Sequence, residues 1–386
     1  MIIKTINILL PSLFRLSFWR KPKASKYMIV MPSGAQELFD GDILSPKETF
    51  VLDLVNYKWL NSFIVINGLM KRRELLFKNN YLFIVLSYID VLNSKYVITW
   101  MDYQINFYRL KAYIKNPIYI SIQTGRRSSE PGQFFDLLQT KNYSNLSCDY
   151  IFCMGEAHAK EYSKYIKCKA IPSGLVRGNM TPLGSKDFQK KEVLFVSQYR
   201  AKKYDPFVVS LDQKSFTLPW DLFYQLEKIL IPLLADYCDK KSLKLNIVSP
   251  LSSSEQEEED FYDSLVGKHN YNFIKHQDSS SGYKAVDSCK YIVGCQSTLL
   301  YESLGRKNRA IFFDARDFES GPFGWPLDLD PKGPFWTNEI TEKEVKRLMS
   351  FIIDCSDEQW LECTNPIVKK LTSFDNDNSL LRKVLK

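Results

Sequence analysis

Residues 291–313 read YIVGCQSTLLYESLGRKNRAIFF. The segment opens on an apolar run of strand length. Gln296, Ser297 and Thr298 make a polar turn, residues 299–304 have helical periodicity, and Gly305 stands where a helix stops. Residues 309–313 are a second apolar run. Two buried strands joined through a helix run parallel, because a parallel pair needs a long crossover rather than a hairpin. The same alternation fills the chain. Strand patterns at 27–31, 50–54, 63–66, 96–99, 118–122 and 150–154 interleave with helical ones at 81–92, 105–114 and 156–165. After a polar stretch at 184–192 it resumes, with strands at 193–196, 243–248 and 273–275 and helices at 220–239 and 255–265. The acidic run Glu257-Glu258-Glu259-Asp260 reads as a solvated helix face. Such alternation predicts α/β units with parallel sheets, in which ligands bind beyond the carboxyl ends of the strands.

That edge can be read for candidate ligand groups. Ser297 and Thr298 at a helix N-terminus offer hydroxyls and free N–H groups to a phosphate, and Glu302, one turn inward, suits a sugar diol. An ordinary helix cap is the plain alternative. Gln123, Gly125, Arg126 and Arg127 follow one strand and are expected to hold substrate, the arginines as a bidentate clamp or as surface ion pairs. Ser249, Gln198 and Arg200 follow two strands of the second unit, and His276 follows a third; all four are expected at the nucleotide.

Composition removes other classes. The 386 residues are long enough for two domains. Eight cysteines form no CxxC pair and three histidines have no metal-ligand spacing, so neither a disulfide framework nor a zinc site is expected, and a reducing cytoplasm fits. Three DxD strings, at 40–42, 328–330 and 375–377, are weak signals among 44 acids. The net charge of +8 is concentrated at the start: residues 1–26 carry Lys4, Arg15, Arg20, Lys21, Lys23 and Lys26 and no acid, interleaved with aliphatic and aromatic residues. This stretch is too interrupted to span a bilayer but suits an anionic membrane surface, or a helix packed on its own domain. The rest of the chain has no basic aromatic stripe for nucleic acid.

Five segments carry a resemblance: ISIQTGRR, DYIFCMGEAHAKEYSKYI, VLFVSQYR, CQSTLLYESLGRKNRAIFF and FGWPLDLDPKGPFWTN. Through them, from about residue 95 to 340, the chain resembles bacterial surface carbohydrate biosynthesis proteins, GT-B-like transferases found among polysaccharide genes. In that family's pattern an acid precedes Ser-Thr where this chain has Gln296. The layout also resembles, more distantly, retaining transferases of CMP-activated ulosonic acids such as Kdo or pseudaminic acid, and polyol-phosphate transferases. The resemblance implies a GT-B-like α/β fold with two Rossmann-like domains facing across a cleft. The expected divisions are a basic segment at 1–26, an acceptor-side domain at 27–185, a nucleotide-sugar domain at 190–340, and helices at 341–386 that pack back on the first domain.

The implied activity moves a sugar, best a CMP-activated ulosonic acid, from a nucleotide donor to a surface polysaccharide or lipid-linked glycan. The alternatives are polyol-phosphate transfer and a non-catalytic glycan- or nucleotide-binding assembly protein. No cofactor or metal is expected, since helix N–H groups and basic residues can hold the leaving phosphate. A cytoplasmic enzyme, peripheral at the inner face of the membrane through residues 1–26, would meet such an acceptor. Asp102 and Glu156, each at a strand end of the first unit, are the candidate catalytic carboxylates. Their plainer readings are a helix cap for Asp102 and helix-dipole pairing for Glu156.

Overall fold

The computed structural model describes residues 20–31, 35–54, 61–129, 133–141, 143–184, 191–201, 207–211, 214–250, 255–267, 269–315 and 322–386. Most of the basic segment 1–26 therefore lies outside the described residues, and so do Pro32, Ser33 and Gly34 after the first strand. Two six-stranded sheets, parallel throughout, form the frame.

The first sheet contains β1 (Tyr27–Val30), β2 (Thr49–Leu52), β3 (Tyr96–Thr99), β4 (Ile118–Ile122), β5 (Ser147–Cys153) and β6 (Lys167–Pro172), in the order β2-β1-β3-β4-β5-β6. Its helices are α1 (Ala35–Asp40), α2 (Ser62–Lys78), α3 (Asn80–Leu92), α4 (Phe134–Thr140), α5 (Glu156–Tyr165) and α6 (Val176–Met180). β1 and β3 are buried at every position, as expected for strands covered by helices on both faces. The strand reading at 63–66 is corrected. Phe63, Ile64, Val65 and Ile66 lie in α2, whose start is fixed by the Asn61 side chain accepting the Ile64 N–H at 3.3 Å. The helix expected at 105–114 is a 3₁₀ run, Ile105–Ala112.

The second sheet contains β7 (Glu192–Val196), β10 (Lys244–Val248), β11 (Tyr271–Ile274), β12 (Tyr291–Gly294), β13 (Arg309–Phe313) and β14 (Trp336–Thr337). An antiparallel hairpin of β8 (Phe207–Leu211) and β9 (Lys214–Leu218) stands apart. The order β11-β10-β7-β12-β13-β14 is that of a dinucleotide-binding sheet, whose strand order reverses between β7 and β12 and opens a crevice at their carboxyl ends. Its helices are α7 (Trp220–Phe223), α8 (Gln225–Lys240), α9 (Glu255–Val266), α10 (Ser281–Ser288) and α11 (Thr298–Gly305).

Three helices close the chain: α12 (Glu342–Asp354), α13 (Asp357–Leu371) and α14 (Ser379–Leu385). In α12, Val345, Leu348, Met349 and Ile352 are buried at helical spacing and belong to the core of the second sheet. The chain then crosses back. The Ser373 N–H donates to the Met154 carbonyl at 2.8 Å, and Leu381 and Leu385 of α14 join the core on one face of the first sheet. These are the layers of a GT-B fold, two Rossmann-like domains with a cleft between them.

Candidate functional site

Between the carboxyl ends of the two sheets lies a cavity of about 350 Å³. The first domain contributes Trp100 after β3, Gln123 and Thr124 after β4, and Arg177 in α6. The second domain contributes Ser197, Ser249 and His276 after its strands, Ser279, Gly282 and Tyr283 around the start of α10, and Ser297, Thr298 and Glu302 of α11. Six of the residues expected at the ligand thus share one wall or another of this cavity: Ser249, His276, Ser297, Thr298, Glu302 and Gln123.

Local structure explains the anion-seeking wall. Ser297 caps α11 in extended backbone but makes no side-chain cap hydrogen bond, and the Leu300 N–H is the first to turn back, donating to the Ser297 carbonyl at 3.0 Å. The N-terminal N–H groups of α11 thus face the cavity without a side-chain cap. Arg177 of the first domain lines the same cavity. Its Nη2 is ion-paired with Glu37, while its Nε is buried and has no hydrogen-bond partner among the described residues. A buried, unmatched guanidinium N–H at a cavity wall favours an anionic ligand.

Glu302 lies deep in the same wall, 8% exposed, and the Tyr283 hydroxyl donates to both its oxygens at 3.0 Å. Gly178 leaves it room, since a Cβ there would stand 2.3 Å from Oε1. Burial lifts the carboxyl from 4.5 to about 7, against the opposing pull of the Tyr283 hydroxyl, Arg177 and Arg306.

Ser197 and Ser249 are held from behind by Glu258. This residue is fully buried, and it accepts the two hydroxyls at 2.5 and 2.7 Å. The reading of residues 257–260 as a wholly solvated face is corrected at Glu258, which sits under the ends of β7 and β10. Gln123 spends its amide on the Gly125 carbonyl (2.8 Å) and accepts the Met154 N–H (2.9 Å), so it shapes the wall more than it offers a donor.

The other expected residues fall elsewhere. Asp102 does not face the cleft. It has no exposed side-chain surface, and its oxygens accept from Arg127 (Nε at 2.6 Å, and Nη2), from the Tyr162 hydroxyl and from the Thr124 N–H at 3.3 Å. Nor does it cap the following 3₁₀ run, whose cap is Gln104. Arg127 is correspondingly committed to Asp102 rather than to a ligand. Glu156 is the exposed first residue of α5 and lies off the cavity.

Arg126 reaches into the second domain. Its Nη2 donates to the Pro322 carbonyl at 2.8 Å and lies 3.8 Å from Asp314, its guanidinium covers the Tyr301 ring at 5.1 Å, and its N–H donates to Thr298 Oγ1 at 3.4 Å. Gly125 brings the chain so close to the second domain that a Cβ would lie 3.2 Å from Thr298 Oγ1. Gln198 accepts the Gln296 N–H at 3.1 Å, and Arg200 is exposed, with its backbone bound to Tyr224 and Trp220. Neither lines the cavity. Gln296 donates its amide to Asp314, a partner that a carboxylate at position 296 would repel.

Sequence reading missed Trp100, Arg177, Ser197 and Tyr283. Arg177 carries no motif and sits in a five-residue helix. Only the return of the chain between the sheets brings it to the cleft. Among the described residues no cluster of three or more His, Cys, Asp or Glu could hold a metal ion, and no helix is long and apolar enough to cross a membrane.

Residues 120–386 match the model of a family described as "putative O-antigen biosynthesis protein". No curated protein matches the sequence. Among solved structures, the chain is similar to a Methanocaldococcus jannaschii UDP-GlcNAc 2-epimerase in complex with UDP-GlcNAc and UDP, at 11% identity and a TM-score of 0.48, over 94% of this chain and 98% of that one. It is also similar to S. aureus MnaA with UDP (10%, TM-score 0.46, 94% of each chain). A third similar structure is the wall teichoic acid polymerase TagF (13%, TM-score 0.47, 99% of this chain and 93% of that one).

Proposed function

We propose, for a chain that belongs to the O-antigen biosynthesis protein family, that it transfers a glycosyl group from a nucleotide-activated donor to a growing surface glycan. The observation that carries this reading is the cavity lined together by Ser297 and Thr298 at the α11 N-terminus, by Arg177, and by Glu302 one turn deeper. The donor's phosphate meets the α11 N–H groups with the Ser297 and Thr298 hydroxyls, and Glu302 meets the ribose. In the transfer, an acceptor hydroxyl oxygen bonds to the anomeric carbon, the bond from that carbon to the phosphate oxygen breaks, and the phosphate leaves with the electron pair. Of the lining side chains, His276 is left to take the hydroxyl proton, because Glu302 is engaged by the ribose. Asp102 and Glu156 do not line the cavity, so this reading moves the proton chemistry away from them.

The finer reading is a CMP-activated ulosonic acid, which presents one phosphate and one carboxylate to the two anion-seeking features. A CDP-polyol presents two phosphates to the same features and is the second reading. Both work without a metal ion. Calorimetric titration of the full chain with CMP, CDP, UDP, GDP and dTDP in EDTA tests the assignment. At least one nucleotide should bind, with CMP preferred under the first reading and CDP under the second. The Ser297→Ala/Thr298→Ala variant should bind it tenfold or more weakly, since hydrogen bonds to a charged group are each worth about 1.5–3 kcal/mol. Unchanged affinity in a folded double variant would remove the donor site from α11. Binding with no turnover on any acceptor would leave a glycan-assembly protein without catalysis.

We also place the enzyme at the cytoplasmic membrane surface through residues 1–26, whose six cations and lack of acids motivate it. Attraction to anionic lipid is about 1 kcal/mol per basic residue near the surface. The chain should float with anionic liposomes in low salt and not with neutral ones. Absence from both fractions sinks the membrane role.

A further inference from the structure

A second, larger cavity of about 570 Å³ lies at the opposite edge of the second sheet from the cleft. One side is formed by Lys290 and Arg309, at the starts of β12 and β13, and by Leu304 and Gly305 at the C-terminal end of α11. The other side is α13 with residues 372–374. Trp360, Val368 and Phe374 supply apolar walls, and Leu361 is half exposed beside them.

The charge around this cavity is one-sided. Four cations, Lys290, Lys307, Arg309 and Lys369, surround it with one acid, Asp357. That acid is already ion-paired with Arg309 and lies 3.7 Å from Lys290. Arg309 also donates to the carbonyls of Ile352 and Cys355, both at 2.7 Å, so its charge is spent on structure. Lys307 and Lys369 are exposed and pair with no acid among the described residues. Inside, Thr372, 3% exposed, has its Oγ1 buried with no hydrogen-bond partner among the described residues. A Cβ on Gly305 would lie 3.1 Å from it, and the glycine leaves that space open. A buried hydroxyl without a partner is costly unless a ligand supplies one.

We propose that this cavity binds an apolar phosphate monoester. The hydrocarbon lies against Trp360, Val368 and Leu361, and the phosphate takes the Thr372 hydroxyl and the Lys307 and Lys369 ammonium groups. Apolar walls alone would take a neutral alcohol, and lysines alone would take any anion; the two together select a ligand that has both parts. The site does not depend on the donor chemistry of the cleft. It nevertheless touches it, because α11 runs from one cavity to the other over eight residues, about 12 Å at 1.5 Å per residue.

The test is calorimetric titration of the full chain with decyl phosphate below its micelle concentration, beside decanol and inorganic phosphate. Decyl phosphate should bind at one saturable site, with the two controls at least tenfold weaker. The Lys307→Glu/Lys369→Glu variant, which changes only exposed side chains, should bind decyl phosphate at least tenfold more weakly while keeping the wild-type melting temperature and nucleotide affinity. Leu361→Trp, which narrows the mouth, should weaken it as well. The proposal is overturned if the wild type shows no saturable binding, if the charge-reversed variant binds equally well, or if inorganic phosphate binds as tightly as decyl phosphate. Sedimentation with phosphatidic acid vesicles in high salt, where the attraction of residues 1–26 to anionic lipid is screened, separates the sources. Loss of sedimentation in the charge-reversed variant identifies a lipid headgroup. Decyl phosphate binding with vesicle sedimentation unaltered by the variant identifies a ligand taken from solution.

Discussion

Glu302 keeps its proton longer than a carboxyl in water because the ionised form would sit among buried walls. Its folded value of about 7 lies above the 4.5 of the unfolded chain, so the native state binds the extra proton. The stability this confers is fully present below about pH 4.5 and is lost as pH rises through 7. At about 1.4 kcal/mol per pKa unit, the loss reaches about 3 kcal/mol by pH 8. His158 works in the opposite direction. Burial, with Arg126 and Arg127 nearby, pushes it down to about 3, so acid destabilises the fold through this imidazole. Glu302→Gln leaves His158 in place and isolates the carboxyl. Urea unfolding at pH 5 and pH 8 should show the wild type losing about 2.5 kcal/mol more than the variant over that interval. Parallel pH slopes in the two proteins would show that Glu302 titrates normally. At this scale the sequence marks which residues stand at strand ends, but not which way they look. Asp102 stands at such an end, yet its partners Arg127 and Tyr162 are 25 and 60 residues away, and no local pattern announces them.

Elements were readable where period and punctuation agree. β12, α11 and β13 follow from two apolar runs, a capping serine and a terminal glycine, and α3 follows from its continuous helical face. Reading failed where the period is too short to decide. Phe63-Ile64-Val65-Ile66 is rich in β-branched residues, and four residues cannot distinguish a strand from the first turn of a buried helix. β6, which lies at a sheet edge and runs from Lys167 to Pro172, is largely half-buried or exposed and has no apolar run to reveal it. The helix read over 220–239 is broken into α7 and α8 at Tyr224, whose ring stacks on Tyr199. Glu258 was hidden in a charge run. Its neighbours Glu257 and Glu259 suggest solvent, and only the helix face turned toward Ser197 and Ser249 reveals a buried carboxylate.

At the scale of the molecule, the two domains are joined through Arg306. Its guanidinium is 1% exposed, pairs with Asp287, and donates to the carbonyls of Gly178 (3.0 Å), Thr181 (3.1 Å) and Pro182 (3.2 Å) in the segment that leaves the first domain. Asp287 in turn accepts the Gly184 N–H at 3.0 Å. Arg306→Leu strands Asp287 as a buried charge and should cost about 3–5 kcal/mol in urea unfolding. Arg306→Lys should recover only part of that, because an ammonium group cannot span the same fork of acceptors. A loss below about 1 kcal/mol for the leucine variant would mean that the linker is held by other contacts. Arg306 also lies four residues after Glu302, and its N–H donates to the Glu302 carbonyl at 3.0 Å. One turn of helix therefore carries both the group proposed to meet the donor and the group that sets the stance of the two halves. Descendants of this gene that acquire a different donor by altering that turn inherit a differently angled cleft in the same step, so substrate preference and domain geometry are expected to drift together rather than one at a time.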